Sequence, residues 1–297
     1  MQAMLLAAGF GTRLRPYTLV HPKPLFPILN RPLLLILLDM LEQAGFTRIV
    51  VNGHHLATQI EQAIAGRKGI SYQYEPIILG TGGSLRQALP SFTDEPVLII
   101  NSDIFHTIDL AALYHQHIYS GNRITMAMHD YPRFNTVGVN NNHVQTFHST
   151  TQQECLAFTG IHVVDPSIIN MIPSQKFFHI IDLYEKLIQQ GEKIGCKRVD
   201  ESFWQDIGTL NDYLELHATL LSGRIEHPLQ VSIPNDQWLI NRDTHIQDSV
   251  QLTGWGCIGR AAIGHDVHLH NCVVWDGARI PDGLRLETTI VSPGVEV

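Results

Sequence analysis

Glycines and basic side chains cluster in one stretch near the amino terminus, "AAGFGTRLRPYTLVHPKPL", residues 7–25. Gly9 and Gly11 have no side chains, so a phosphate group can approach the backbone N–H groups around them. Arg13 offers a planar guanidinium to two phosphate oxygens, and Lys23 adds a compact positive charge. Residues of these types at this spacing predict the binding of a small phosphorylated ligand.

Two familiar phosphate-binding motifs are absent from this stretch. The segment "GFGTRL" has Leu14 where a dinucleotide-binding fingerprint needs its third glycine. The sequence also lacks G-x-x-x-x-G-K-[ST], the pattern of a P-loop. The chemistry therefore belongs to neither of these classes.

The elements around the stretch alternate between strands and helices. Residues 2–7 are predicted to form a buried strand that leads into the glycines. Further strands are predicted over "TRIVVN", "ISYQYE" and "PVLIINSD", and helices over "RPLLLILLDMLEQAG", "LATQIEQAIAG", "GSLRQALP", "LAALYHQHIYS", "IIDLYEKLIQQG" and "TLNDYLELHATLLSG". This alternation predicts an α/β domain with a Rossmann-like, mostly parallel sheet and helices on both faces. Such sheets bind ligands at the carboxyl ends of their strands, where this stretch begins.

A repeat of 17 residues replaces the helical pattern from about residue 225. Equivalent positions are occupied by small or β-branched residues, in series such as Ile240, Cys257, Val274 and Val291; Thr244, Ala261, Ala278 and Val295; and Ile246, Ile263, Ile280 and Val297. A β-helix has this pattern because each coil buries its inward face only by stacking on its neighbours. The alternative is a sandwich of short strands. We predict two domains, residues 1–224 and 225–297.

Composition limits the partners. The chain of 297 residues has 28 acidic and 20 basic residues and a net charge of −8, which argues against a nucleic-acid-binding surface. No apolar run reaches the ~20 residues of a membrane helix, and no signal peptide is recognisable. The four cysteines show no C-x-x-C spacing. We expect a soluble, cytoplasmic protein whose partners are small molecules, with no membrane or nucleic-acid partner.

The stretch "LLAAGFGTRLRPYTLVHPKPL" resembles the signature of the sugar-phosphate nucleotidyltransferases. The resemblance continues through "LGTGGSL", "NSDIF", "VGVN", "FTGIHV" and "FWQDIGTLNDYL", covering about residues 1–222. It implies an enzyme that joins a sugar 1-phosphate to a nucleoside triphosphate and releases pyrophosphate. The carboxyl-terminal repeat resembles the left-handed β-helix that several members append, for which oligomer contact or regulation is the expected role.

The resemblance also implies roles for individual residues. Arg13 and Lys23 would be catalytic, holding the triphosphate and the attacking phosphate. The nucleotide would be bound by Leu6, Ala7, Ala8, Gly9, Gly11, Thr12, Arg13, Gly82, Gly83 and Asp103. Asp103 and Asp206 would hold Mg²⁺, and Gly138 and Gly160 would contact the sugar.

One family segment is missing. Many members have an E-K-P sequence before the "TG" of the sugar pocket, but here the corresponding stretch is "QTFHSTTQQE", without a lysine. This weakens an assignment to the glucose 1-phosphate enzymes and favours N-acetylmuramate, mannose or heptose 1-phosphate as the substrate. His148 is the candidate substitute for the lysine; a histidine in a surface loop is the alternative.

Two other functional classes stay open. A non-catalytic regulatory subunit that binds nucleotide sugars would also lack the E-K-P lysine, although it would have little need for Arg13 and Lys23. Acyl transfer by the carboxyl-terminal repeat is a third class, which generally needs more coils. The histidines of "HDVHLH", residues 265–270, are expected to point outward from a coil whose inward positions are Val267 and Leu269.

Overall fold

The structure is a computed structural model that describes residues 1–149, 154–229 and 231–296. The α-helices within these ranges are α1 (Leu33–Gln43), α2 (Ala57–Ile64), α3 (Gly80–Ala88), α4 (Leu110–Ser120), α5 (Pro166–Ile169), α6 (Ile180–Gln189) and α7 (Leu210–Leu221). None of these helices is both long and apolar enough to cross a membrane.

Strands make up most of the remaining regular structure. They are β1 (Gln2–Leu6), β2 (Pro27–Ile28), β3 (Arg31–Pro32), β4 (Arg48–Gly53), β5 (Ile70–Tyr74), β6 (Val97–Asn101), β7 (Ile104–His106), β8 (Ile124–His129), β9 (Val137–Asn140), β10 (His143–Thr146), β11 (Cys155–Val164), β12 (Ile194–Arg198) and β13 (Trp204–Asp206). The carboxyl-terminal strands are β14 (Trp238–Ile240), β15 (His245–Ile246), β16 (Gln251–Ile258), β17 (Ala262–Ile263), β18 (His268–Val274), β19 (Arg279–Ile280) and β20 (Arg285–Val291).

The chain forms two compact units, each made of two separate segments. The sheet unit consists of Met1–Gly9 and Leu37–Trp204, and the stack unit of Phe10–Ile36 and Gln205–Val297. The basic part of the amino-terminal stretch thus groups with the carboxyl-terminal residues, although they are distant in sequence. The domain boundary at residues 224 and 225 stays a prediction, drawn from sequence pattern rather than from packing.

The sheet unit contains a nine-stranded sheet in the order β5-β4-β1-β6-β11-β8-β12-β10-β9. Strands β5, β4, β1 and β6 are parallel, with Met4 opposite both Val50 and Ile99. Within the described sheet, β11 and β10 run against the other strands. The prediction of a mostly parallel sheet is therefore confirmed for its first four strands, and reversed strands interrupt the second half.

Helices cover both faces of this sheet. On one face, Met4 of β1 shares a core with Leu85 of α3 and Tyr184 of α6, all three fully buried. On the other face, the Thr125 hydroxyl of β8 lies 2.9 Å from Nδ1 of His117 in α4. Since side chains alternate between the faces of a strand, this arrangement confirms the predicted helices on both sides.

Several helix ends follow local sequence signals. The Asp109 carboxylate accepts a hydrogen bond from the Ala112 N–H and caps α4, which ends at Gly121 with φ at 67°. Thr209 and Asp212 form a reciprocal capping box at the start of α7. Helix α3 differs from the sequence prediction, because it begins at Gly80 and includes all the glycines of "LGTGGSL".

The carboxyl-terminal strands of the stack unit are all parallel. They form one sheet in the order β14-β16-β18-β20 and a second in the order β15-β17-β19. Ala262 pairs with Arg279, and His268 with Arg285, each a step of 17 residues. The repeat in the sequence is thus the spacing between stacked strands. The left-handed β-helix itself stays a prediction.

Burial along the repeat depends on the position in the stack. Ile263 and Ile280 are 2% and 3% exposed, whereas Ile246, at the equivalent position of the first coil, is 37% exposed. Val297, the last member of this series, lies outside the described residues. Strand β17, which carries Ile263, is paired on both sides, whereas β15, which carries Ile246, is paired on one side only, and this accounts for the difference between these two residues.

The "HDVHLH" segment follows the predicted alternation. Val267 and Leu269 are fully buried, while His265 is exposed and His268 and His270 are half-buried. Over the described residues, no group of three or more His, Cys, Asp or Glu side chains is arranged to hold a metal ion. The histidines therefore belong to the outer surface of the coil.

Three other histidines lie deep in the protein. Burial lowers the pKa of His106 and of His162 to about 3. Burial likewise lowers the pKa of His217 to about 4, and the Leu29 N–H donates to its Nε2. A neutral ring is therefore part of the folded structure at all three positions.

The difference in burial predicts that replacing isoleucine by alanine lowers the free energy of unfolding by different amounts at residues 263 and 246. Ile263→Ala should lower the free energy of unfolding by about 2–5 kcal/mol, because it empties a buried site. Ile246→Ala should cost clearly less, because that side chain is already partly in water. Equilibrium urea denaturation of both variants tests this, and equal losses would contradict the packing described.

The buried histidines predict acid sensitivity. Their folded pKa values lie below the unfolded value, so the unfolded chain binds more protons between about pH 4 and 6.5. Stability should therefore be complete above that window and fall by about 1.4 kcal/mol per pH unit for each histidine as the pH drops through it. Urea denaturation at pH 7 and pH 5 measures the slope. A flat profile between these two pH values would refute the prediction.

Candidate active site

The end of β1 supplies the predicted nucleotide-binding backbone of the sheet unit. The Ala7 N–H donates to Oδ1 of Asn52 at 2.6 Å, which fixes the chain as it leaves the sheet. Leu6 accepts hydrogen bonds at its carbonyl oxygen from the backbone and hydroxyl of Ser102. Ala8 is half-buried and Gly9 is exposed, with no heavy atom within 4 Å of the place where a Cβ would lie. The backbone at Gly9 is thus open to a ligand.

A buried polar chain supports this turn. Asn52 donates from Nδ2 to Oε1 of Glu75 at 2.7 Å, and Gln73 donates to the same oxygen. Glu75 is fully buried, and its other oxygen, Oε2, has no hydrogen-bond partner among the described residues. Asn52 and Glu75 were not among the predicted site residues. The available signal was a polar residue, Asn52, near the end of the mostly buried strand β4, together with an acidic residue, Glu75, directly after β5.

Gly11 lies in the part of the loop that belongs to the stack unit, which begins at Phe10. Its φ of 60° is a left-handed value, and a Cβ there would lie 2.9 Å from Cγ2 of Thr18. The Thr18 hydroxyl donates to the Gly11 carbonyl oxygen at 3.0 Å, and the Leu14 N–H donates to the same oxygen. The next residues, Thr12–Leu14, form a single 3-10 turn that carries Arg13. Glycine is required here for both conformation and space.

Asp206 brings the two predicted catalytic cations together within the stack unit. Its Oδ1 lies 3.6 Å from Nζ of Lys23, and its Oδ2 lies 4.0 Å from Nη2 of Arg13. The Lys23 side chain is 8% exposed and that of Arg13 is 63% exposed. Lys23 is thus held inside the protein, while Arg13 reaches into solvent, where it can meet a ligand.

Gly208 makes room for this arrangement. A Cβ at Gly208 would lie 2.6 Å from Oδ2 of Asp206 and 3.0 Å from Nη2 of Arg13. Sequence reasoning assigned Asp206 to a metal and Arg13 and Lys23 to phosphates. Their mutual ion pairing was not foreseen, because the residues are far apart in the chain.

Asp103 is the other carboxylate predicted to bind metal. It belongs to the sheet unit, is half-buried and lies two residues beyond the end of β6. Mg²⁺ in phosphate-transfer sites takes one or two protein carboxylates and completes its shell with water and phosphate oxygens. The oxygen donors of Asp103 and Asp206 are therefore of the right chemical type.

The glycines predicted to pass close to the base and ribose have structural partners. The N–H groups of Gly82 and Gly83 both donate to the Phe178 carbonyl oxygen, at 2.9 and 3.2 Å. A Cβ at Gly82 would lie 2.9 Å from Phe178, and one at Gly83 would lie 2.5 Å from the Lys176 carbonyl oxygen. Packing within the sheet unit thus already requires glycine at both positions. Nucleotide contact by either residue stays a prediction.

The residues predicted to contact the sugar lie on neighbouring strands. Gly138 is buried in β9, where it pairs with Cys155 of β11. Gly160 of β11 has φ at 77°, and a Cβ there would lie 2.7 Å from Nδ2 of Asn101. Because residue 160 is glycine, the Asn101 side chain can pack against β11. Asn101 was not among the predicted residues.

His148 has an acidic neighbour. Its Nε2 lies 3.5 Å from Oε1 of Glu185 in α6, and its side chain is 83% exposed. Thr150 to Gln153 of the same stretch are outside the described part of the chain. The structure thus pairs His148 with a carboxylate on the surface, and its role toward a sugar phosphate stays a prediction.

A family model described as "Nucleotidyl transferase" matches residues 2–223. This segment includes every residue of the candidate active site described in this subsection. The chain belongs to the nucleotidyl transferase family. The resemblance found in the sequence motifs is thereby confirmed.

Curated relatives of the chain are sugar 1-phosphate nucleotidyltransferases. A UTP–glucose-1-phosphate uridylyltransferase of Synechocystis is 30% identical over 98% of this chain and 87% of its own length. A D-glycero-α-D-manno-heptose 1-phosphate guanylyltransferase of Aneurinibacillus thermoaerophilus is 29% identical over 74% and 98%. An N-acetylmuramate α-1-phosphate uridylyltransferase of Neisseria meningitidis is 42% identical over 38% of this chain and 52% of its own length. These relatives differ in both base and sugar.

Solved structures show the same fold. A crystal structure of HddC from Yersinia pseudotuberculosis, complexed with GMP-PN, covers 72% of this chain and 97% of its own, with a TM-score of 0.60 and 23% identity. A putative glucose-1-phosphate thymidylyltransferase from Bacillus anthracis covers 77% and 98%, with a TM-score of 0.66 and 17% identity. At these identities the likeness supports the predicted Rossmann-like α/β fold of this family.

The two loop glycines predict different responses to alanine. Gly9→Ala should leave the melting temperature unchanged, because the added methyl meets open space. Gly11→Ala should lower it, because the left-handed backbone and the Thr18 methyl both oppose a side chain; such strain costs on the order of 1 kcal/mol or more. Thermal unfolding followed by circular dichroism compares the two. A large loss for Gly9→Ala would contradict the open backbone.

Proposed function

We propose that the chain transfers a nucleotidyl group from a nucleoside triphosphate to a sugar 1-phosphate, forming a nucleotide sugar and pyrophosphate. The observation that carries this proposal is the position of Lys23 and Arg13 on either side of Asp206. All three residues lie in the segment matched by the family model. A buried lysine beside an exposed arginine is suited to binding and neutralising phosphate groups.

The proposed reaction is a single displacement. An oxygen of the sugar phosphate forms a bond to the α-phosphorus of the triphosphate from the side opposite the departing group. The bond from that phosphorus to the oxygen bridging to the β-phosphate breaks, and its electron pair leaves with pyrophosphate. Both reactants are anions, so the main requirement is positive charge fixed where negative charge accumulates. Lys23 and Arg13 would supply it.

The amino-terminal turn would bind the nucleotide. Leu6, Ala7, Ala8 and Gly9 form the backbone at the end of β1, which is open at Gly9, and Gly11, Thr12 and Arg13 continue it. N–H groups of such a turn can donate to phosphate oxygens where no side chain blocks the approach. The open space at Gly9 supports this assignment.

Asp103 and Asp206 are the residues that we propose hold Mg²⁺. When bound, the ion supplies positive charge that neutralises phosphate oxygens. The pairing of Asp206 with Lys23 and Arg13 means that the same carboxylate would also orient the two basic side chains. We further propose that Gly138 and Gly160 contact the sugar and that His148 is available to its phosphate.

Pyrophosphate release across a matrix of substrates tests this function. The matrix combines the common nucleoside triphosphates with the 1-phosphates of glucose, mannose, heptose and N-acetylmuramate, because these are the sugars named for the relatives of this chain. Release with one pair would establish the reaction and identify the substrates. No release with any pair, together with a rise in melting temperature on adding a nucleotide sugar, would instead indicate a non-catalytic binding subunit.

Two substitutions should remove activity without unfolding the protein. Lys23→Gln and Asp103→Ala should each lower kcat by about a hundredfold or more, because each removes one fixed charge near the reacting phosphates. Arg260→Gln is the control, because Arg260 pairs with Asp276 on the surface of the stack unit. Circular dichroism checks the fold of all variants. Wild-type turnover in both Lys23→Gln and Asp103→Ala would refute the proposed chemistry.

A further inference from the structure

Trp275, which follows β18 in the stack unit, contacts residues on both sides of Lys23 in sequence. Its ring centroid lies 5.2 Å from that of His21 and 5.8 Å from that of Tyr17. It lies 4.6 Å from the ring centroid of Phe26, which is fully buried. One side chain from the carboxyl-terminal stack thus packs against the segment before Lys23 and the segment after it.

Hydrogen bonds extend this contact to the backbone. Nε1 of Trp275 donates to the Tyr213 hydroxyl at 3.0 Å, and that hydroxyl donates to the Pro27 carbonyl oxygen. Tyr213 is fully buried and lies in α7. Buried polar groups that are paired in this way have few alternative arrangements, because leaving either partner unpaired costs free energy.

Two more anchors join the segment to other coils of the stack. The Tyr17 hydroxyl donates to the Ile290 carbonyl oxygen in β20 at 2.9 Å. Asn30 donates from Nδ2 to the Ile258 carbonyl oxygen in β16 at 2.9 Å, and Cys257 donates from Sγ to its Oδ1. Residues 17–30, which we call the Lys23 segment, are therefore attached to three successive coils.

The identity of residue 275 is not explained by stacking alone. The pairing between coils places it level with Gly259 of the coil before and Ser292 of the coil after, which are much smaller. A coil of this repeat accommodates either of those residues, so the tryptophan is larger than the stack requires. Trp275 is 3% exposed, and three of the aromatic rings packed against it, those of Tyr17, His21 and Phe26, come from the Lys23 segment. The Tyr213 ring of α7 also packs against it, with 6.2 Å between the ring centroids.

Lys23 itself is coupled to this packing through a short turn. The Phe26 N–H donates to the Lys23 carbonyl oxygen at 3.0 Å and closes the 3-10 turn Lys23–Leu25. A displacement of Phe26 would therefore move the Lys23 backbone. The Lys23 ammonium group, 3.6 Å from Asp206, would move with it.

We propose that Trp275 is a positioning residue for Lys23, and that the carboxyl-terminal stack thereby forms part of the catalytic apparatus. Trp275 acts through Phe26 and Tyr213 and does not itself touch the reacting groups. The effect on turnover rests on the proposed function, whereas the effect on the position of Lys23 does not.

The test compares Trp275→Ala with a matched control, Leu269→Ala. Leu269 is fully buried in the same stack and belongs to its core of coils, so its loss destabilises the unit without removing a contact to the Lys23 segment. Both variants are assayed well below their melting temperatures. Trp275→Phe is the conservative variant, since it keeps an aromatic ring against Phe26, although it makes that ring smaller and removes the N–H donor.

Two measurements are made on each protein. The first is kcat and KM with the substrate pair found in the matrix. The second is the rate of Lys23 acetylation by acetic anhydride, followed by mass spectrometry, which needs no turnover. In Trp275→Ala we expect kcat to fall about tenfold or more, with KM changed less, because misplacing a catalytic group costs mainly turnover. Lys23 acetylation should rise several-fold as the side chain loses its buried position.

Leu269→Ala should leave both measurements close to wild type, and Trp275→Phe should recover most of kcat. A folded Trp275→Ala with wild-type kcat and wild-type Lys23 reactivity would overturn the proposal. So would a Leu269→Ala variant that reproduces both effects, because general destabilisation would then explain them. If the wild-type protein turned over no substrate pair, the proposed function would fail, and the acetylation rates would still decide whether Trp275 positions Lys23.

Discussion

An ammonium group can remain charged inside a protein only where an opposite charge and fixed donors or acceptors replace its lost hydration. Lys23 meets this condition beside Asp206, and Arg13 shares the same carboxylate from its solvent-exposed side. The arrangement constrains its surroundings. Gly208 must lack a side chain, and the segment around Lys23 must be held firmly enough to keep the pair together.

Each compact unit carries groups that the proposed chemistry would use. In the sheet unit, the open backbone at Gly9 lies just beyond the end of β1, and the Asp103 carboxylate lies just beyond the end of β6. The stack unit contains the charged side chains of Arg13, Lys23 and Asp206. Fixed polar groups and fixed charges are the two means by which a protein stabilises phosphate chemistry without a covalent intermediate. The sheet unit is suited to providing fixed polar backbone groups, and the stack unit is suited to providing fixed charges.

The sequence was sufficient for features that depend on local pattern. Helices α1, α2, α4, α6 and α7, the strand before Gly9 and the 17-residue spacing were predicted, because periodicity and end signals such as Gly66 act over a few residues. The four-residue helix α5 was not predicted. The start of α3 at Gly80 was missed, since a glycine-rich run reads as a loop unless its packing against Phe178 is known. The grouping of residues 10–36 with the carboxyl-terminal coils was also missed. It depends on contacts between residues such as Tyr17 and Ile290, which no local pattern records.

Those contacts determine when the Lys23 segment can become ordered during synthesis. Tyr17 and Ile290 are 273 residues apart in sequence, so the ribosome makes the donor of their hydrogen bond long before the acceptor. At about 5–20 residues per second, residues 10–36 wait on the order of ten seconds or longer for the first of their partners in the stack unit. The basic loop therefore acquires its final structure only after the coils that contact it have been made. A nascent chain that stalls before the last coils would present the phosphate-binding residues without the scaffold that orders them.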